Sequence, residues 1–130
     1  MEGSCLCGQV QFQVQGTIEH APEAFHCSQC RKVSGHFLAA VNVRRIDLNL
    51  VGGDETVSWY QSSPEVRRGF CGNCGSSLFW LPTQENYAYI AIAMGAFDKP
   101  TGLKLSKHTF VVDKGDYYDL ADGVAQSDGY

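Results

Sequence analysis

No stretch of this chain of 130 residues is apolar for the roughly 20 consecutive positions that a helix needs to cross a bilayer. The opening MEGSCLCGQV has neither a basic region nor an apolar core, so no secretory leader is expected and a cytoplasmic location is. Cationic blocks are missing too. Ten Lys and Arg stand against 14 Asp and Glu, for a net charge of −4. The densest basic spots are the pairs Arg31-Lys32, Arg44-Arg45 and Arg67-Arg68, which suit a solvated surface better than a phosphate site. Sequence-independent binding of nucleic acid needs a larger positive footprint, so neither nucleic acid nor a membrane is an expected partner. Several catalytic signatures are absent: G-x-x-x-x-G-K-[ST], H-E-x-x-H and G-x-S-x-G do not occur. The deaminase pattern fails as well, because Pro22 is not adjacent to Cys27 and no His is followed two positions on by Glu. Proline is scarce, with four against 14 glycines, which suits many turns between short strands.

What the chain does have is enough apolar material for a core: 44% hydrophobic residues and only 18% charged. A single domain over residues 1–130 is expected. Val10, Phe12 and Val14 alternate with glutamines, the period of a strand with one buried face. Further strands are predicted at Phe37–Val43, Ile46–Leu50, Thr56–Gln61, Val66–Phe70, Ser77–Leu81, Tyr87–Ala93 and Lys107–Val112. Only Ser28–Gly35 reads as a helical turn, with Ser28 as a possible N-cap and Gly35 as its stop. The class is therefore mainly β: one domain of short antiparallel strands with little helix. The small, polar tail at 121–130 is expected to fray.

Six cysteines fall in three close pairs: Cys5 with Cys7, Cys27 with Cys30, and Cys71 with Cys74. In a reducing compartment such spacing favours a metal over disulfides. Two thiolates two or three positions apart can grip one Zn²⁺ from the same side, and a second pair completes a tetrahedron. On a strand, Cys5 and Cys7 would share one face. The C-G-x-C-G of Cys71 to Gly75 reads as a zinc knuckle. One structural zinc on Cys5, Cys7, Cys71 and Cys74 would staple the start of the chain to its middle. The third pair is then surplus. Cys27 and Cys30 are the candidate catalytic residues and the candidate ligands of a second, incomplete zinc site. Arg31, Lys32 and the start of a helical turn would lower their thiol pKa values. His26 and His36 are the candidate third ligands, whereas His20 and His108 read as surface or structural residues.

The order G-S-C-x-C-G from Gly3, H-C-S-x-C-R-K from His26, Ser34-Gly35 and F-C-x-x-C-G from Phe70 resembles the glutathione-dependent formaldehyde-activating enzyme/centromere protein V family. His108 to Val112 and Asp119 to Gly123 look like that family's closing segment. The resemblance implies a β-tent fold with two zinc sites. By it, Cys5, Cys7, Cys71 and Cys74 correspond to the structural site, and Cys27 and Cys30 to two members of a catalytic-type C-x-C-x-x-C. The first cysteine of that motif would fall at position 25, where this chain has Phe25. The implied activity is that of a carbon–sulfur lyase on adducts of a small thiol such as glutathione with an aldehyde. The alternative is a non-catalytic zinc-stabilised binding module that has lost its second zinc.

Overall fold

The computed structural model describes residues 1–130. In chain order it contains β1 (Glu2–Ser4), β2 (Gln11–Val14), β3 (Glu23–Phe25), α1 (Ser28–Ser34), β4 (Leu38–Arg44), β5 (Leu48–Gly52), β6 (Val57–Ser63), β7 (Val66–Cys71), β8 (Ser77–Pro82), β9 (Tyr89–Ala93), β10 (Lys107–Thr109) and β11 (Ala125–Gln126). A three-stranded sheet runs β1-β2-β5, and an eight-stranded sheet runs β11-β10-β3-β4-β9-β8-β7-β6. The mainly β class is as read from the sequence. The pairing is antiparallel except at one end of the large sheet, where β10 runs parallel to both β3 and β11.

The glutamine-alternating strand behaves as its period requires. Phe12 and Val14 of β2 are buried, while Gln11 faces solvent. Phe12 meets Phe79 and Phe97 edge to face, at 5.8 and 5.4 Å between centroids. This aromatic knot sits between the sheets, flanked by Val41 and Val43 of β4 and Ile90 and Ile92 of β9. Burying a ring of this size contributes about 1.5–3 kcal/mol. β1 crosses directly over the knot at Gly3, where a Cβ would collide with the Phe12 ring and the Ala96 carbonyl. Only glycine permits that approach.

The other face of the large sheet positions the site. Asn42, Ala91, Trp80, Arg68 and Tyr60 stand in register across β4, β9, β8, β7 and β6, so their side chains share one face. Phe25, Leu38 and Ala40 continue that face toward β3. Helix α1 lies beside it, ended by Gly35 in the left-handed conformation as expected.

Some expectations shift. Two strands start late because 3₁₀ turns at Arg45–Asp47 and Asp54–Thr56 take their first residues. The strand predicted over Lys107–Val112 stops at Thr109, because Phe110 enters the left-handed region (φ 56°) and turns the chain into a 3₁₀ turn. The tail is docked rather than frayed. β11 pairs with β10, the Ser127 amide donates to the His108 carbonyl at 2.9 Å, and Tyr130 packs edge-on against Phe110 at 4.9 Å. No helix is long and apolar enough to cross a membrane.

Candidate metal centre

The six thiols are all free of disulfides. The sulfurs of Cys5, Cys7, Cys71 and Cys74 all lie within 4.8 Å of one another. Cys5 to Cys7 is 3.5 Å and Cys7 to Cys71 is 3.8 Å. A tetrahedral zinc with Zn–S of about 2.3 Å sets its sulfurs about 3.8 Å apart, so the cage has the size of a four-thiolate site. These four cysteines can bind a metal ion.

The two cysteine pairs arrive on matching turns. Gly75 donates its amide to the Cys71 carbonyl at 2.8 Å, and Gly8 donates to the Cys5 carbonyl at 3.0 Å. Both glycines sit at φ near +77° (76° and 77°), which reverses the chain within one turn. Cys5 and Cys7 therefore meet on a turn after β1, not on a strand as the C-x-C spacing suggested. Leu6, between them, points into solvent at 89% exposure.

Donors surround the sulfurs. The Val10 amide reaches Cys5 Sγ at 3.3 Å, and Asn73 Nδ2 reaches Cys7 Sγ at 3.3 Å. The Leu6 amide donates to Ser76 Oγ at 3.0 Å, which leaves the Ser76 hydroxyl hydrogen to donate to Cys74 Sγ at 3.2 Å. This bridge joins the two turns through groups that favour thiolate. The Ser76 hydroxyl, with the Ser76 and Cys7 amides, draws the Cys74 thiol down to about 5.

Cys27 and Cys30 lie at the start of α1. The helix is capped by Cys27, whose sulfur accepts the Cys30 amide at 3.4 Å, so the cap is not Ser28. Cys30 turns inward and is buried. Its thiol is pushed up to about 12, first by burial and then by Cys27, against the pull of Arg68. For Cys30 this reverses the lowering expected from Arg31 and Lys32. Arg31 turns its Nε to the backbone carbonyls of His26 and Asp113, at 3.3 and 3.1 Å. No third Cys, His, Asp or Glu joins Cys27 and Cys30 in a group of metal-binding size.

Neither candidate histidine is drawn to that pair. His36 Nδ1 meets the Tyr117 hydroxyl at 2.9 Å. His26 is fully buried inside a hydrogen-bonded chain that the sequence did not signal. Asp122 Oδ2 lies 2.9 Å from His108 Nε2, His108 Nδ1 is 2.8 Å from His26 Nε2, and His26 Nδ1 is 2.6 Å from the Tyr118 hydroxyl. The carboxylate can only accept, which fixes the direction: Tyr118 donates to His26, His26 to His108, and His108 to Asp122. Of the two readings for His108, surface or structural, the buried position supports the structural one, and His20 packs edge-on to Tyr89.

The Arg67-Arg68 pair, expected to be solvated, is split between two environments. Arg67 does lie over the Trp59 ring, at 4.4 Å. Arg68 is 7% exposed. The ion pairs of the molecule are Arg44–Asp47 and His108–Asp122, so the buried guanidinium has no carboxylate. Its Nη2 reaches Gln29 Oε1 at 3.4 Å and Cys30 Sγ at 3.9 Å. It lines a cavity of about 460 Å³ between α1 and the large sheet. Phe25 lies at a smaller hollow of about 110 Å³, with His20, Glu23, Asn42 and Ser106.

The glutathione-dependent formaldehyde-activating enzyme family model matches residues 1–113, and the chain belongs to this family. Among curated relatives, a Halomonas elongata protein named for the same glutathione-dependent formaldehyde activation is 37% identical over 86 residues, or 61% of this chain. That match spans about half, 54%, of the relative's length. An uncharacterized lyase of Schizosaccharomyces pombe is 30% identical over 93% of this chain and 85% of its own. A crystal structure of a Rhodobacter sphaeroides protein shares the fold, with a TM-score of 0.66 at 22% identity, covering 98% of this chain and 99% of that one.

Proposed function

We propose that this protein is a zinc-stapled carbon–sulfur lyase-type member of the family, acting on adducts of a small thiol, glutathione or a relative, with a small aldehyde. The observation that carries the reading is the position of Cys30, 3.9 Å from Arg68, which has no carboxylate partner and itself lines a cavity large enough for a small organic ligand. In this reading zinc occupies Cys5, Cys7, Cys71 and Cys74 as a closed structural site, because four thiolates fill its coordination. Cys27 and Cys30 serve the substrate. A second zinc there would supply an open position that holds a substrate thiolate. The family pattern has a cysteine where this chain has Phe25, which leaves that ion two thiolates. Six unpaired thiols suit a reducing compartment, and the cytoplasm is the proposed location.

A second reading is favoured by a separate observation: no third ligand reaches Cys27 and Cys30. On that reading the protein is a zinc-stabilised binding module without turnover. Elemental analysis together with calorimetric titration of glutathione and its hydroxymethyl adduct decides between them. A second equivalent of zinc with saturable thiol binding supports the lyase. One equivalent with no thiol binding by the loaded protein overturns it in favour of the module. Cys27→Ser should abolish thiol binding yet stay folded, whereas Cys71→Ser or Cys5→Ser should unfold or aggregate the chain.

A further inference from the structure

We infer that the cavity under α1 is a receptor for a small amphipathic monoanion, a carboxylate on an aliphatic or aromatic body, with Arg68 as the group that binds the charge. The inference deepens the lyase reading by naming what the non-reacting part of the substrate must be. It rests on that reading only for the claim that the bound molecule is turned over.

Three observations carry it. First, the Arg68 guanidinium is buried against Gln29 and Cys30 without a carboxylate partner. A charge withdrawn from water is stable only when something of opposite sign meets it, and Gln29 offers no charge. Second, no Asp or Glu lines the cavity, and its charged wall residues are Arg68 and Lys32, both cationic. The free protein therefore presents positive charge to the cavity with no carboxylate to neutralise it. Third, the rest of the wall is largely hydrocarbon and aromatic, with Val33, Leu38, Phe79 and Trp80 among its members. An inorganic anion would leave most of about 460 Å³ against apolar walls. One planar carboxylate matches the fork of a single arginine, and an apolar body matches the remaining surface.

Phenylacetate is a suitable probe, titrated calorimetrically into the zinc-loaded protein beside its neutral analogue phenylacetamide. Wild type should bind the acid saturably and about tenfold or more tighter than the amide, as a charge-assisted hydrogen bond predicts. This comparison needs no variant and cannot be confused with misfolding. Arg68→Gln should lose the preference for the acid. Ala93→Phe, which fills the cavity from β9 and leaves Arg68 in place, should lose both ligands while the thermal melt stays cooperative. Equal binding of acid and amide, no binding of either, or an unchanged preference in a folded Arg68→Gln protein overturns the inference. Its failure is separable from that of the lyase reading. Turnover of thiol adducts that phenylacetate does not inhibit would overturn the receptor and leave the lyase. Phenylacetate binding without turnover of any thiol adduct would do the reverse.

Discussion

His26 and His108 lie side by side without solvent, and His26 cannot take a second proton without losing an acceptor. Protonating His26 at Nδ1 removes the atom to which Tyr118 donates. Burial, and then the neighbouring His108, His36 and Lys114, hold the His26 pKa down from 6.5 to about 4, with Asp122 opposing. An unfolded chain protonates this side chain as pH falls through 6.5, whereas the folded chain resists until about 4. Between those values the unfolded state binds more protons, so stability falls on acidification. The loss attributable to His26 is on the order of 3 kcal/mol by the acid end of that window. Urea unfolding between pH 7 and 4 checks it: His26→Gln should flatten part of the slope. Asp122, whose carboxyl the His108 hydrogen bond holds below its ordinary value, adds to the slope in the same direction at its acid end. A slope unchanged in the variant would count against this account. Phe12 makes a simpler case. Its truncation to alanine empties the centre of the aromatic knot and should destabilise by about 3–5 kcal/mol, read from the denaturant midpoint.

Among the elements, those with a clear period were legible in the sequence and those without one were not. The alternation from Val10 to Gln15 announced β2, and the apolar runs announced β4 and β6 to β9. β1 is three residues long and contains Gly3, so no period could reveal it. It exists because Gly3 fits over Phe12, a tertiary fact. β3 carries the family-matched His26 just past its end, yet Glu23-Ala24-Phe25 has no strand signature by itself. Its partners β4 and β10 impose the conformation. β11 depends in the same way on β10. Deleting residues 124–130 should remove that pairing and the Tyr130 contact, lowering stability by on the order of 2 kcal/mol. Thermal melts of the truncated chain test this, and an unchanged midpoint would mean that the docked tail contributes nothing.

For the molecule as a whole, the cysteine spacing told more than any other feature. It marked three close pairs as metal ligands, and the family resemblance implied which two of them, Cys5 with Cys7 and Cys71 with Cys74, share one centre. The cavity could not be foreseen. Arg67 and Arg68 are adjacent and identical in type, and only the strand's alternation sends one over Trp59 and the other beneath α1. The histidine chain was equally hidden, since its members are spaced by 82 and 14 positions. With zinc as the proposed ion, the cage would also set the scale of stability. A structural zinc contributes about 10–16 kcal/mol of apparent binding free energy, comparable to or larger than the roughly 5–15 kcal/mol by which domains of this kind are stable. Strong chelation should therefore abolish the cooperative melt, and zinc should restore it. A chelated protein that still melted cooperatively at the original temperature would show the cage to be dispensable.

Cys7 and Cys71 are 64 positions apart and meet at one centre. On a translating ribosome, at roughly 5–20 residues per second, the second knuckle is made several seconds after the first. During that interval the nascent amino-terminal turn is an open dithiol, able to capture a stray ion or to oxidise. On the proposed zinc reading, maturation of this protein would depend on zinc and reductant around the growing chain as well as on the folding of its strands.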